Sequence, residues 1–155
     1  AYAAQHGFEL VIVRPANVFG YGHFRGGSGG GMTIQSLVAA GLSGEPITVS
    51  AAQARDFEYI YCKDLGSIIR RAATAPITGT TAFNAGNGNV VTFESLITAI
   101  TSVLPNLKVT IADGSRESFK QPMDLSRARA VLDWAPEYSL EDGFRDYIEE
   151  IKEAG

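Results

Sequence analysis

The run of apolar residues at 8–15 (FELVIVRP) is the feature that most restricts the fold of this chain. Its hydrophobic residues are nearly continuous, a pattern typical of a strand that is buried on both faces of a parallel sheet. A parallel neighbour strand requires a crossover connection, which is usually a helix. The run therefore predicts an α/β fold in which strands and helices alternate along the chain.

The remaining sequence supplies the other elements of such a fold. Short runs rich in branched and aromatic residues predict further strands at 46–50, 57–62, 82–85 and 108–112. Terminal glycines predict helices that end at Gly7 and Gly44, and capping side chains predict helices that begin after Asp64, Thr92, Asp124 and Ser139. The buried stripe of the helix after Asp64 is predicted to be Leu65, Ile68, Ile69 and Ala72.

The segment 16–31 is predicted to be a loop, with a flexible glycine-rich part at 26–31 (GGSGGG). This part lacks the glycine spacing of a dinucleotide-binding turn and has no acidic ribose partner at the right distance. A phosphate cradle and a mobile loop both stay open for it. No internal repeat or linker divides the 155 residues, so we predict one α/β unit.

Composition excludes several classes of partner. The net charge is −4 and no block of Lys or Arg occurs, which argues against a nucleic-acid or anionic-membrane surface. The longest strictly aliphatic run, 10–13, is too short to span a bilayer. The single cysteine, Cys62, forms no internal disulfide or metal site and fits a reducing compartment, so we expect a cytoplasmic protein. A half-buried Cys62 is favoured over a reactive thiol.

Asn17 is the first candidate for ligand binding. It lies in the segment 14–20 (RPANVFG), directly after the strand at 8–15. Ligands of open α/β sheets bind beyond the carboxyl ends of the strands. The Asn17 amide can donate hydrogen bonds to a phosphate oxygen there, or it can close a turn through its own backbone.

Arg55 and Arg116 are candidates because a guanidinium group can donate two hydrogen bonds to one phosphate. Each has an acidic neighbour in sequence, Asp56 or Glu117, so a solvated salt bridge is the alternative in both cases. No pair of residues suited to general acid–base catalysis stands out, and we predict no catalytic or metal-binding residue within the chain.

Five further segments occur in order along the chain: RPANVFGYG (14–22), GEPITV (44–49), FEYIYCKDL (57–65), FNAGNGNVVTFESL (83–96) and DLSRARAVLDWAPEYSLEDGF (124–144). Together they resemble the NAD-dependent epimerase/dehydratase family of extended short-chain dehydrogenases/reductases, which includes UDP-glucose 4-epimerase. The last is similar to the family's ending, in which a D-x-S-(K/R)-A helix is followed by L-G-W-x-P and S-L-x-x-G.

The resemblance implies that residues 1–155 form the C-terminal part of a Rossmann-type NAD(P)-binding fold together with a small α/β substrate-binding domain. The glycine-rich dinucleotide-binding half is expected to be absent, and the family's Tyr-x-x-x-Lys pair is expected upstream of Ala1. The implied cofactor is NAD, with NADP open, and the implied substrate is a nucleotide-diphosphate sugar. A homodimer through the missing half and an inactive isolated fragment are further expectations.

By the same resemblance, Pro15 and Ala16 lie beside the nicotinamide, and Asn17, Arg55 and Arg116 contact the diphosphate. Gapless counting from Pro46 to Asp64 places the family's arginine at residue 57, two residues after Arg55. A shift of two residues preserves the strand face, so Arg55 can still point the same way.

The implied activity is that of a nucleotide-sugar 4-epimerase, which oxidises a sugar hydroxyl by hydride transfer to NAD. A nucleotide-sugar 4,6-dehydratase or ketoreductase is the alternative within the family. A non-catalytic nucleotide-binding module is the alternative outside it.

Overall fold

A computed structural model describes residues 2–22, 29–116, 118 and 120–155. Helices and strands alternate in this part of the chain. The elements are α1 (Tyr2–His6), β1 (Leu10–Pro15), β2 (Asn17–Phe19), α2 (Gly29–Ser43), β3 (Ile47–Val49), β4 (Tyr59–Tyr61), α3 (Cys62–Thr74), β5 (Thr80–Ala85), α4 (Phe93–Val103), β6 (Val109–Ile111), α5 (Ser126–Leu132) and α6 (Leu140–Ala154). The strands form parallel pairs, β1 with β5, β2 with β4 and β3 with β6. The prediction of an α/β fold with parallel sheets is confirmed.

The β1–β5 pair runs in register from Leu10 opposite Thr80 to Pro15 opposite Ala85. Burial on both faces, as predicted for this strand, is wrong for the chain as it stands. Val11 and Val13 pack against the core that includes α3 and α5, whereas Leu10 and Ile12 are 36% and 37% exposed. The prediction fails because the continuous hydrophobic run gives β1 two apolar faces, and the described residues cover only one of these faces.

Two hydrophobic cores meet at β4. Tyr59 and Tyr61 belong to a core with α2, α4 and α6, and Ile60 belongs to the core with α3, α5 and β5. This division follows from the strand itself, because successive side chains point to opposite faces. All three residues are at most 3% exposed, so β4 is the central strand on which both cores are built.

The predicted loop at 16–31 is wrong at both ends. β2 follows β1 after a single residue, Ala16, and pairs in parallel with β4 from Asn17 opposite Tyr59 to Phe19 opposite Tyr61. The helix α2 begins at Gly29, inside the glycine-rich segment, whose residues 26–28 lie outside the described part. A three-residue strand carries too little periodicity to be predicted, and here the pairing with β4 specifies it.

Most helix ends agree with the sequence. Gly7 and Gly44 have φ angles of +69° and +75°, the left-handed conformation expected after a helix C-terminus. The side chains of Thr92 and Ser139 accept hydrogen bonds from Ser95 N and Asp142 N and cap α4 and α6 as predicted. Asp124 lies just before the cap position of α5 and accepts a hydrogen bond from Ser126 N at 2.9 Å.

The predicted cap at Asp64 is wrong, because α3 begins at Cys62 and its N-cap is Tyr61, three residues before the predicted cap. Asp64 is buried in the first turn and accepts hydrogen bonds from Glu137 N at 2.9 Å and Tyr138 N at 3.2 Å. Burial raises the pKa of this carboxyl in spite of the two backbone donors. Asp64 therefore fixes the start of α3 to the segment before α6.

The helical stripe predicted for α3 contains one error: Ile69 is 50% exposed, while Ile68 and Ala72 are buried. Over the described residues, no helix has both the length and the apolar character needed to cross a membrane.

Candidate functional site

The carboxyl ends of β1 and β5 form one edge of the fold. Pro15 lies opposite Ala85 at this edge, and Ala16 N donates a hydrogen bond of 2.8 Å to the Ala85 carbonyl. Pro15 is exposed and Ala16 is half-buried. The residues that the sequence assigned to a nicotinamide are thus at the strand ends where α/β sheets bind ligands.

Asn17 begins β2 immediately beyond this edge. Its backbone N–H donates to the Glu58 carbonyl at 3.1 Å, and its side-chain Nδ2 contacts the same oxygen at 3.4 Å. Its Oδ1 faces the first turn of α2 so closely that a Cβ atom added to Gly30 would lie 2.8 Å from it. Glycine at residue 30 therefore allows the Asn17 amide to lie against the N-terminus of this helix.

Arg55 lines a cavity of about 140 Å³ at the same helix N-terminus. The other lining residues are Gly29, Gly30, Met32, Thr33, Ala52, Gln53 and Phe57. The guanidinium carbon of Arg55 lies 5.0 Å from the centre of the Phe57 ring, which places the cation over the aromatic face. We call this space the Arg55 cavity.

The Nε atom of Arg55 is buried and has no hydrogen-bond partner among the described residues. An orphaned buried donor normally costs about 1–3 kcal/mol, and more when it is charged. Such a group is therefore expected to receive an acceptor from a ligand or from solvent. The alternative salt bridge with Asp56 is not formed among the described residues; the Asp56 carboxylate accepts from Phe93 N at 3.1 Å and lies 3.9 Å from Arg116 Nη2.

The N-terminus of α2 adds to the positive potential of the Arg55 cavity. The first N–H groups of a helix have no partner within the helix, and the helix dipole favours an anion beside them. Among the described residues that line the cavity, none has an acidic side chain. A guanidinium and a helix N-terminus at one small cavity, with the Asn17 amide against the same helix terminus, form an arrangement suited to phosphate oxygens.

Arg116 is engaged elsewhere. Its Nε donates to the Ala54 carbonyl at 2.5 Å, and its Nη1 forms a 2.7 Å ion pair with Glu94 at the start of α4. This pair raises the pKa of Arg116 and lowers that of Glu94. Arg116 does not line the Arg55 cavity, although it contacts the residue before Arg55. Its predicted acidic neighbour, Glu117, lies outside the described residues.

Glu58 is a residue that the sequence analysis missed. Its buried carboxylate accepts hydrogen bonds from Gly88 N at 2.7 Å and from Met123 N at 2.5 Å. Its carbonyl holds Asn17, and no side chain fits at Gly86, where a Cβ would meet Glu58 Oε1. Glu58 thus connects the first candidate residue to the loop after β5. In the sequence, Glu58 is a single acidic residue among aromatic ones, and this pattern does not indicate that its carboxylate binds two distant backbone groups.

Cys62 is half-buried, and burial raises the pKa of its thiol. A thiol that stays protonated is a poor nucleophile, which supports the packing role over the reactive one. In the part of the chain that the structure describes, no three His, Cys, Asp or Glu side chains are grouped so as to hold a metal ion.

The sequence also matches a known family model. The model described as the NAD dependent epimerase/dehydratase family covers residues 1–86, which is more than half of the 155 residues. The chain belongs to the NAD dependent epimerase/dehydratase family. The resemblance drawn from the five sequence segments is confirmed.

Individual members of the family share the fold at low identity. UDP-glucuronic acid decarboxylase 6 of Arabidopsis thaliana is 26% identical over 144 residues, which are 92% of this chain and 40% of that protein. The UDP-glucose 4-epimerase of Thermotoga maritima, solved with UDP-glucose, superposes with a TM-score of 0.76 at 20% identity and covers 99% of this chain and 49% of that one.

The dTDP-glucose 4,6-dehydratase of Bacillus anthracis, solved with NAD, gives a TM-score of 0.78 at 17% identity and covers 98% of this chain and 47% of that one. The chain therefore spans about two fifths to one half of the length of the relatives it matches. These structural similarities show that the described residues have the Rossmann-like fold of the family.

Proposed function

We propose that this chain is the substrate-binding portion of an NAD-dependent enzyme that acts on a nucleotide-diphosphate sugar. In this proposal, Asn17 and Arg55 hold the diphosphate at the N-terminus of α2. The observation that carries it is the buried, unpartnered Nε of Arg55, a residue that lines the Arg55 cavity. A phosphate oxygen would supply the acceptor that this N–H group lacks.

The chemistry of the cavity supports a diphosphate over a neutral ligand. The Arg55 guanidinium can bind two oxygens at once, and the partial positive charge of the α2 terminus acts on the same anion. The Asn17 Nδ2 contact with the Glu58 carbonyl is 3.4 Å, longer than an ordinary N–H···O bond. A shorter, charge-assisted bond to a phosphate oxygen would be a favourable replacement for it.

We expect the cofactor to bind beside Pro15 and Ala16, at the edge of the fold described above. Membership of the family supports this expectation. NAD, when bound, accepts a hydride from a sugar carbon; NADP is open. This chain would contribute the wall of the cofactor site at the ends of β1 and β5 and the grip on the remote diphosphate. Binding energy from the diphosphate would orient the sugar against the cofactor.

Within this proposal we favour a 4-epimerase, in which a sugar hydroxyl is oxidised to a ketone that is later reduced from the other side. A decarboxylase is the second candidate, favoured by the curated relatives, which carry the name UDP-glucuronic acid decarboxylase. A ketone placed β to a carboxylate loses CO₂ readily, so the same first oxidation would serve both reactions. A dehydratase or ketoreductase stays a further candidate.

The binding proposal is tested by titrating UDP into the full-length protein that contains these residues. Arg55→Ala and Asn17→Ala are each expected to weaken binding by about 1–3 kcal/mol, because each removes a hydrogen bond to a charged group. Arg145→Ala is the matched control, since it removes the same type of side chain from the exposed face of α6, where Arg145 pairs with Glu141 and Asp142. Unchanged affinity in both site variants would contradict the proposal.

The reaction is tested by product analysis with UDP-glucose and UDP-glucuronic acid in the presence of NAD. The 4-epimer of the sugar is expected for an epimerase, and stoichiometric CO₂ for a decarboxylase. Retained UDP affinity with no turnover of any nucleotide sugar would instead favour a non-catalytic binding module. The single cysteine keeps the cytoplasm as the expected compartment.

A further inference from the structure

The Arg116 guanidinium, which is paired with Glu94, contacts the residues on both sides of Arg55: the backbone of one and the side chain of the other. Arg116 Nε donates to the carbonyl of Ala54, the residue before Arg55. Arg116 Nη2 lies 3.9 Å from the carboxylate of Asp56, the residue after it. Both sequence neighbours of Arg55, the residue proposed to bind the diphosphate, therefore contact the Arg116 guanidinium. Arg116 itself does not line the Arg55 cavity.

The segment 54–56 is also attached to the start of α4. The Asp56 carboxylate accepts a hydrogen bond from Phe93 N at 3.1 Å, and the Arg116 guanidinium lies 5.9 Å from the centre of the Phe93 ring. Asp56 N donates to Ser118 Oγ at 3.2 Å. Glu94, the next residue of α4, holds Arg116 Nη1 at 2.7 Å. These contacts fix the backbone from which the Arg55 side chain extends.

The Arg55 side chain has no comparable restraint of its own. Its one polar attachment among the described residues is the stacking of the guanidinium on Phe57, and its Nε has no partner. An arginine side chain has many rotamers, and ordering it on binding costs free energy. The position of its backbone therefore decides how much of the cavity its guanidinium can reach.

We propose that Glu94 and Arg116 are positioning residues that hold Arg55 in place for the diphosphate, and that Arg116 does not contact the ligand itself. The inference rests on the proposed diphosphate site. It assigns a role to Glu94, which the sequence did not single out, and it changes the role of Arg116 from ligand contact to support. Glu94 acts through Arg116, and Arg116 acts through the Ala54 carbonyl and Asp56.

The test is a double-mutant cycle in the full-length protein, with the dissociation constant for UDP as the readout. Arg116→Ala and Glu94→Ala are each expected to raise this constant roughly three- to thirtyfold, which lies within the range of coupling between residues that share a network. In an Arg55→Ala background, both changes are expected to have an effect of less than about twofold, because the residue they position is gone. If Arg116→Ala or Glu94→Ala acted by a general loss of structure, it would weaken UDP binding equally with and without Arg55.

Glu94→Gln separates a specific contact from a loss of fold. It keeps an oxygen that accepts from Arg116 Nη1, so it is expected to raise the dissociation constant less than Glu94→Ala does. Glu94 is exposed, so both variants are expected to fold, and thermal unfolding of each checks this. Arg145→Ala serves again as a control that leaves UDP binding unchanged.

Two outcomes would overturn the inference. Equal losses on Arg116→Ala with and without Arg55 would show that Arg116 contributes independently, for example by direct contact with the phosphate. No loss on Arg116→Ala in the otherwise unchanged protein would show that the support is not needed. If Arg55→Ala alone leaves the affinity for UDP unchanged, the proposed diphosphate site is itself wrong, which is a different result from either of these.

Discussion

Removal of the Glu58 carboxylate is predicted to destabilise the fold at the point where Asn17 is held. Glu58 is 7% exposed, and its two oxygens accept from Gly88 N and Met123 N. Hydrogen bonds to a charged group contribute about 1.5–3 kcal/mol each, and the two N–H groups would be left with no acceptor. We expect Glu58→Ala to lower the free energy of unfolding by about 3–5 kcal/mol.

The loss is large compared with the total stability of a domain, which is about 5–15 kcal/mol. For a chain of this length it corresponds to a fall in melting temperature of about 10 °C. Glu58→Gln keeps the shape but replaces one acceptor oxygen with an NH₂ group, which faces a backbone N–H. We expect a loss of about 2 kcal/mol for this variant.

Urea denaturation of the full-length protein, followed by circular dichroism and fluorescence, measures these changes. Glu149→Ala is the matched control, because Glu149 is exposed on α6 and its removal should shift the midpoint little. If Glu58→Ala and Glu58→Gln both unfold within about 0.5 kcal/mol of the unchanged protein, the carboxylate does not hold these loops and the reasoning is refuted.

Two further predictions concern glycines and pH. Gly66→Ala in α3, where an added Cβ meets nothing within 4 Å, should raise the free energy of unfolding by about 0.5–1 kcal/mol, measured by urea denaturation. Gly41→Ala should lower the free energy of unfolding by about 1–3 kcal/mol, because its Cβ would lie 2.8 Å from Leu104 Cδ1. The reverse order would contradict the packing of α2 on Leu104. Burial tends to raise the pKa of Asp146, but hydrogen bonds from Lys63 and Tyr61 outweigh it and lower the pKa below its ordinary value of 3.8. This contribution to stability is present above that value and is lost as the pH falls through the folded-state pKa. Urea midpoints at about pH 3 and pH 7 should therefore differ less in Asp146→Asn than in the unchanged protein; an identical difference would contradict the role of Asp146.

The elements that the sequence predicted well are those with a long pattern or a capping side chain. The helix α4 has both, since Thr92 caps it and Phe93, Leu96 and Ile100 follow at helical spacing and are buried. The helix α6 is similar, with Ser139 as its cap. Local patterns of this kind depend on neighbours within one turn, so they can be read without tertiary information.

The failures share one cause, which is that long-range contacts decided the outcome. Asp64 has the residue type of a cap, but the burial of Tyr61 at the end of β4 starts α3 earlier and leaves Asp64 to bind the backbone of Glu137 and Tyr138. β2 exists because β4 lies beside it. Such pairings join residues tens of positions apart, and no local pattern reports them.

The candidate site was predictable in part for the same reason. Asn17 was proposed because it follows a strand, and Arg55 because arginine suits phosphate; both stay predictions. The partner of Arg116 could not be foreseen, since Glu94 is 22 residues away and the sequence offered Glu117 as the nearer acid. Glu58 was missed because its function depends on two loops that come together only in the folded chain.

A crystal structure of the full-length protein with UDP tests the central claim most directly. The account predicts that diphosphate oxygens lie within hydrogen-bond distance of the Arg55 guanidinium and of Asn17 Nδ2, beside the first turn of α2. It also predicts that Arg116 keeps its contact with Glu94. A diphosphate bound away from the Arg55 cavity, with Arg55 Nε still lacking an acceptor, would contradict the account.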